Sequence, residues 1–327
     1  MTLPELLQLS GSYWGTCTLH AGVKLDVFTH LADAPLSVSQ LARIIHADER
    51  GLDMLLNALT AMDLLNKEAD SFRATPFSAD FLSKTSDNYM GHIIMHHQNL
   101  VEGWSRLDEA VKSGTPVRKR PSHEAGDDEL ENFLMGMFNL ASHLAPRVAS
   151  KLDLSGRRRL LDLAGGPGTY AIHFCKQNPD LTAVIFDLPT TRPFAEQTVG
   201  RFGLSGRIAF SGGDITSNDI GTGYDVVWVS HLLHSEGPEA AAAIVAKAAA
   251  ALATGGMLLI QEFILDDNRA APLHPALFSL NMLVGTPAGQ AYSQGELRDM
   301  MQGAGLGAIR RLEIDLPNGA GIMAGTR

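Results

Sequence analysis

A chain of 327 residues, 45% apolar and 19% charged, has the length of two domains and the composition of an ordinary globular protein. Its formal charge of −10 excludes the broad basic face that nucleic acid requires, and it has no apolar run of about 18 residues that would make a membrane-spanning helix. Cys17 and Cys175 are too few for a disulfide framework and residues 1–5 lack the basic start of a secretory signal, so a cytoplasmic protein with no nucleic-acid or membrane partner is expected.

Residues 10–32 read as a first helix, rich in small and apolar residues and broken before Pro35. Ser37 caps a second helix over residues 37–45. Asp48-Glu49-Arg50 opens a third, with Leu52, Leu55, Leu56, Leu59, Met62 and Leu65 at helical spacing. Residues 67–75 then read as a short hairpin, which completes a winged-helix pattern. Such modules often bind DNA, but the third helix sets Asp48, Glu49, Asp53 and Asp63 against Arg50, the wrong sign for phosphate contacts.

Residues 88–112 read as one helix, stopped by Ser113-Gly114-Thr115-Pro116. His92, His96 and His97 lie on it. No Glu separates the first pair in the manner of a zinc-protease helix and no fourth ligand is evident, so no metal is expected. Residues 121–128 read as a polar loop and residues 129–152 as a long helix.

From Ser155-Gly156 onward strands alternate with helices. Arg159-Leu160-Leu161 leads through Asp162-Leu163-Ala164-Gly165-Gly166-Pro167-Gly168 into a helix over residues 170–177. Glycine lets the backbone approach a ligand, and a helix start offers unpaired N–H groups, so this turn suits the polar tail of a nucleotide-like cofactor. Gly166-Pro167-Gly168-Thr169-Tyr170-Ala171 also fits the loose dinucleotide fingerprint, which leaves nicotinamide and adenosylmethionine both open. A second strand over residues 183–188 brings Asp187 to the place where an acid binds ribose hydroxyls. A third, residues 208–210, is followed by Asp214, an acid suited to an adenine amino group. A fourth, residues 224–230, runs into His231 and His234, and a histidine there suits a base facing a methyl sulfonium.

The alanine run 240–253 reads as a helix, residues 257–261 as a fifth strand, and Glu262 ends that strand. Residues 273–283 and 294–303 read as helices flanking the turn Pro287-Ala288-Gly289. Residues 308–316 and 319–325 read as strands joined around Pro317-Asn318-Gly319. An antiparallel pair closing a mostly parallel sheet suits a methyltransferase and is less usual in a dehydrogenase.

Taken together, these stretches resemble the S-adenosylmethionine-dependent small-molecule O-methyltransferases of the caffeic acid and hydroxyindole type, in their bacterial branch. The resemblance rests on residues 162–168, 186–189, 212–214, the surroundings of His234, and residues 255–262, 295–297 and 303–306, which span most of 150–327. It implies an α/β class I methyltransferase fold: a Rossmann-like, mostly parallel sheet with an antiparallel last strand, plus a mainly helical N-terminal winged-helix domain. The implied divisions are a dimerisation domain over 1–110, a helical linker over 111–152 and a cofactor-binding catalytic domain over 153–327. The winged helix would then build a homodimer and roof the partner's active site.

The same resemblance assigns roles. Gly165, Gly166 and Gly168 pass the methionine end of S-adenosylmethionine, with Ala164 in place of the family's first glycine. Asp187 holds the ribose, Leu188 flanks the adenine, and Asp214 and Ile215 reach the adenine ring. Ser230 stands among the cofactor residues where plant-type members carry Lys. His234 takes the position of the general base and Glu262 that of the acid that orients it. His97, Asn139, His143, Met282 and Tyr292 fall where a small aromatic or heteroaromatic hydroxyl acceptor is lined. The chain departs from the plant-type pattern at Ser235-Glu236, where Asp-Trp follows the base, and at Ala291, where a second Glu stands. A nitrogen or sulfur acceptor is therefore the rival reading, and a non-catalytic cofactor-binding or scaffold protein the next.

Overall fold

The chain folds into two compact units, Met1–Val101 with Glu131–Asn139, and Glu102–Leu130 with Leu140–Arg327. The computed structural model describes residues 1–119 and 126–327, so residues 121–125 of the expected polar loop lie outside the described residues.

In the N-terminal unit the single helix expected over 10–32 is three: α1 (Leu3–Gly11), α2 (Tyr13–Lys24) and α3 (Val27–His30). Helix α1 starts earlier than expected because Thr2 and Glu5 cap it reciprocally. The break before α3 falls at Asp26, whose left-handed backbone (φ 58°) cannot continue a right-handed helix. Strand β1 (Leu36–Ser37) precedes α4 (Val38–Ile45), which Ser37 and Gln40 cap in the same reciprocal way. Helix α5 (Glu49–Ala61) stops short of Leu65, because Asp63 turns left-handed (φ 59°) and Leu65 opens β2 (Leu65–Glu68). β2 pairs with β3 (Ser71–Ala74), and β1 joins the other edge of β3. Val27, Phe28, Leu41, Leu56, Leu59 and Phe72 form the core of this winged-helix arrangement.

Helix α6 (Pro76–Phe81), which the sequence reading passed over, carries a legible signal: Thr75 accepts from Ser78 N–H and Pro76 fills the first turn. The helix expected over 88–112 is two, α7 (Gly91–Trp104) and α8 (Leu107–Ser113). Between them the Ser105 hydroxyl donates to the Glu102 carbonyl, and Arg106 leaves helical geometry to donate to Glu109 and to the Val117 carbonyl. Helix α9 (Asp127–Lys151) then leads toward the sheet.

The C-terminal unit has the expected sheet. β4 (Arg159–Leu163), β5 (Thr182–Asp187), β6 (Ile208–Gly212), β7 (Tyr224–Ser230) and β8 (Leu252–Leu265) run parallel in the order β6-β5-β4-β7-β8. β9 (Tyr292–Ser293) pairs with the end of β8, while β10 (Gly307–Arg311) and β11 (Ala320–Thr326) close the sheet antiparallel. β8 is much longer than residues 257–261, and β10 stops at Arg311 rather than 316.

Both faces are covered, as a parallel sheet requires. On one side α10 (Thr169–Gln177), α11 (Arg192–Arg201) and the end of α9 pack Phe174, Ala195 and Val148 around Trp228. On the other, α12 (Pro238–Ala251) and α14 (Gln294–Gly303) pack Ile244 and Leu297 against Val227 and Leu258. Helix α13 (Leu273–Gly285) lies between β8 and β9 in the chain. Strand order reverses at β4, between β5 and β7, and a crevice outside the carboxyl ends of those strands is where ligands collect in such sheets. No helix among the described residues is long and apolar enough to cross a membrane.

Candidate active site

The turn after β4 is shaped by what lies beneath it. Asp162, 1% exposed, accepts the Ala171 N–H at the start of α10. A Cβ on Gly165 would lie 2.6 Å from the Asp162 carboxyl carbon, so only glycine fits above that side chain. Gly168 combines a left-handed backbone (φ 80°) with Ile185, whose Cδ1 would stand 2.3 Å from an added Cβ. Gly166 faces open space instead. Ala164 occupies a left-handed position (φ 54°) that glycine adopts without strain. Burial raises the Asp162 carboxyl to about 7, against the opposing Ala171 N–H and with the help of nearby Asp187.

Asp187, at the tip of β5, ties this turn to its neighbour. Its carboxylate accepts from Gly166 N at 2.8 Å, Leu188 N at 2.7 Å and the Thr191 hydroxyl at 3.1 Å. Asp214, beyond β6, accepts from the N–H and hydroxyl of Thr216, both at 2.7 Å. Lys247 of α12 donates to the Ile215 carbonyl and holds that loop. Ser230 stands opposite Gln261 across β7 and β8, and both side chains act on the nearby Tyr170 hydroxyl. Burial pushes Tyr170 up to about 12, so it stays a neutral phenol. Asp187 and Ser230 end parallel strands, and Gly165, Gly166, Gly168, Leu188, Asp214 and Ile215 follow the carboxyl ends of such strands.

His234 lies in a short 3-10 turn after β7, with its side chain 12% exposed. Its Nδ1 is 2.8 Å from Glu262 Oε2, and its backbone N–H donates to Oε1 at 3.3 Å. Glu262 is 1% exposed. Burial alone would raise its pKa, but the His234 charge and the two neighbouring imidazoles outweigh that and hold it well below the usual carboxylate range. An ionised Glu262 accepts Nδ1–H and leaves His234 Nε2 as the basic nitrogen. The Phe278 ring meets the imidazole edge-on at 4.7 Å.

His231 adds a second imidazole. Its backbone is left-handed (φ 51°), its ring packs 4.4 Å from Phe263, and its Nε2 is 3.1 Å from the Gln261 amide. Its Nδ1 lies 3.7 Å from Glu262 Oε2, too far for a hydrogen bond. Among the described residues His231, His234 and Glu262 form the one group with metal-ligand spacing, and the histidines at 92, 96 and 97 form none. Sequence reasoning missed Asp162, Tyr170, Gln261 and Phe278. Asp162 was legible as the acid beneath the glycine turn, whereas nothing in a single sequence distinguishes Phe278 from its apolar neighbours.

The expected acceptor residues divide. His97, exposed, and Asn139, which donates to the Tyr89 carbonyl at 2.7 Å, belong to the N-terminal unit. His143, also exposed, belongs to the C-terminal unit, as does Met282, 6% exposed on α13. Tyr292 is 1% exposed, and its hydroxyl donates to the Glu236 carbonyl at 2.6 Å, which anchors the segment after His234. Ala291, where a second acid was sought, is fully buried.

Residues 104–307 match the model of the O-methyltransferase domain, and residues 7–84 match that of the O-methyltransferase dimerisation domain. The chain belongs to the S-adenosylmethionine-dependent O-methyltransferase family. Among members of this family it is 31% identical to the 3-hydroxy-5-methyl-1-naphthoate 3-O-methyltransferase of Streptomyces sahachiroi, over 99% of this chain and 95% of that one. It is 29% identical to the tetracenomycin polyketide synthesis 8-O-methyl transferase of Streptomyces glaucescens, over 96% and 94%. An O-methyltransferase family protein from Burkholderia thailandensis has the same fold, with a TM-score of 0.89 at 30% identity over 100% of this chain and 98% of the other. This O-methyltransferase family member is thus an enzyme whose methyl donor is S-adenosylmethionine.

Proposed function

We propose that this enzyme methylates a hydroxyl of a small aromatic or heteroaromatic acceptor, with His234 as general base and Glu262 as its positioning residue. The observation that carries this reading is the 2.8 Å contact between His234 Nδ1 and buried, ionised Glu262 at the crevice edge of the sheet. It directs the basic Nε2 away from the carboxylate, ready to take the hydroxyl proton. A phenol titrates near 10, so a placed base contributes about 10²- to 10⁴-fold. The resulting imidazolium is stabilised by the carboxylate it already faces. The naphthoate and tetracenomycin enzymes, by their names, methylate oxygen on such compounds.

The residues present fit the methyl donor. Gly166 opens onto free space beside the start of α10, Asp187 ends β5, and Asp214 follows the neighbouring β6. When bound, S-adenosylmethionine supplies an electrophilic methyl group on a sulfonium. Gly165, Gly166 and Gly168 give its methionine end close passage, Leu188 and Ile215 flank the adenine, and Ser230 borders the same edge. Met282 and His143 of the C-terminal unit are assigned to the acceptor. Tyr292 serves the acceptor by fixing the Glu236 segment through its hydroxyl. The match to a dimerisation domain supports a homodimer, and we infer that it works in the cytoplasm.

A labelled methyl donor incubated with a panel of hydroxylated aromatics tests the reading. Methyl label should appear on acceptor oxygen with wild type and nearly vanish with His234→Ala. Transfer that persists in a folded His234→Ala enzyme would reject the base and favour the nitrogen or sulfur acceptor. The motive for that rival is that Ala291 leaves Glu262 as the acid at the base.

A further inference from the structure

Arg118 is a cation built into the C-terminal unit with no anion paired to it among the described residues. Its backbone N–H and that of Val117 donate to the Val284 carbonyl at 3.2 and 2.9 Å, which sets the side chain against the end of α13. Glycines make room for it. An added Cβ would lie 2.9 Å from the Arg118 Cδ at Gly103 and 2.4 Å from Nη2 at Gly285. The Nε atom is buried with no hydrogen-bond partner, and Nη1 reaches the Lys119 carbonyl at 3.3 Å. No carboxylate stands within ion-pair distance among the described residues, and Glu129 acts on the group through space alone. Burial lowers the guanidinium pKa in spite of Glu129. A half-buried, uncompensated charge is costly, and a guanidinium fork matches a carboxylate in geometry and sign.

Helix α13 connects this cation to the base. Phe278, Asn281, Met282 and Gly285 recur at helical spacing and share one face. Phe278 touches His234, Asn281 accepts the Trp104 indole N–H at 3.1 Å, and Gly285 touches Arg118. Seven residues of helix separate the two ends, about 10 Å. That rise matches the length of one or two aromatic rings with a hydrogen bond at each end, and Asn281 and Met282 fall between the two ends along the helix.

We propose that the acceptor is a hydroxyaryl carboxylate, and that Arg118 binds its carboxylate while the hydroxyl meets His234. The proposal rests on the reading of the enzyme as an aromatic O-methyltransferase and names the substrate class. Arg118 becomes the specificity-determining residue.

Calorimetric binding in the presence of S-adenosylhomocysteine tests it apart from turnover. The probes are 4-hydroxybenzoate and 6-hydroxy-2-naphthoate, each against its primary amide. Wild type should prefer at least one acid over its amide by about ten- to hundredfold, the worth of a charge-assisted hydrogen bond. Arg118→Met should lose that preference and Arg118→Lys should keep part of it, with S-adenosylhomocysteine affinity unchanged in both. Equal or weaker binding of both acids to wild type would overturn the proposal, and so would an acid preference that survives in Arg118→Met. Loss of S-adenosylhomocysteine affinity with the acid preference intact would assign Arg118 to the cofactor's carboxylate instead. An acid that binds through Arg118 but is not methylated would leave the carboxylate site standing and count against the O-methyltransferase reading alone.

Discussion

Glu262 keeps its charge inside the protein because His234 sits 2.8 Å away. Two changes separate the proposed base from the proposed positioning residue. His234→Ala should lower kcat about 10²- to 10⁴-fold with S-adenosylmethionine affinity nearly intact, since proton removal and cofactor binding use different groups. Glu262→Gln should lower kcat less, because it still accepts Nδ1–H but no longer stabilises the imidazolium. Steady-state kinetics with a measured cofactor Kd check both. Asp162 has the opposite perturbation. Its folded pKa, about 7, lies above the unfolded value, so its contribution to stability is fully present below about 4 and is lost as pH rises through 7. Asp162→Asn keeps the acceptor for Ala171 N–H and removes the titration. Its melting temperature should therefore gain on wild type as pH rises from 4 to 8. Parallel melting curves across that range would expose the assignment as wrong.

At the scale of elements, Asp187 shows how a residue proposed to bind the cofactor also serves as a strut. The sequence places it for ribose, and the structure has it holding Gly166 N–H, so β5 and the turn after β4 share one carboxylate. Asp187→Ala should weaken S-adenosylmethionine binding roughly ten- to hundredfold. Part of that loss should persist for ligands lacking the ribose hydroxyls, because the turn itself loosens. Comparing S-adenosylhomocysteine with its 2′,3′-dideoxy analogue by calorimetry measures that part. Helix α1 shows the converse. It is nine residues long and has no buried residue, while Leu3, Leu6, Leu7 and Leu9 are exposed by half or more. A free helix of that length is marginal in water, so its apolar face needs a partner surface. Leu6→Glu with Leu9→Glu should weaken the proposed dimer while leaving the monomer folded by circular dichroism.

For the whole molecule, the dimer has a simple signature. Light scattering at micromolar concentration should give about 70 kDa, twice the chain mass of 35.1 kDa, as a two-fold assembly requires. The α1 double variant should shift it toward a single chain. A wild-type monomer at that concentration would reject the homodimer. Cofactor product should also stabilise the fold: S-adenosylhomocysteine at 100 times its Kd adds about 2.7 kcal/mol. Thermal scans with and without it give the shift directly, and the shift should shrink in Asp187→Ala.

Strand, turn and strand-end acids were legible because short-range rules set them. A buried parallel strand is a run of Leu, Val and Ile, a tight turn needs glycine, and ligands gather at carboxyl ends. The order of 162–168, Asp187, Asp214 and His234 therefore carried the sheet and the strand ends at which the cofactor site is proposed. The ends of helices were less legible. The breaks at Asp26, Asp63 and Arg106 are backbone choices made by packing, and neither Asp nor Arg marks a stop by itself. What only the tertiary structure decided is which side chains meet. Glu262 lies 28 residues from His234, Phe278 is 44 residues from it, and Arg118 approaches Gly285 across a still longer stretch of chain. Such contacts depend on how sheet and helices close around one another, and no local pattern of residues encodes that distance.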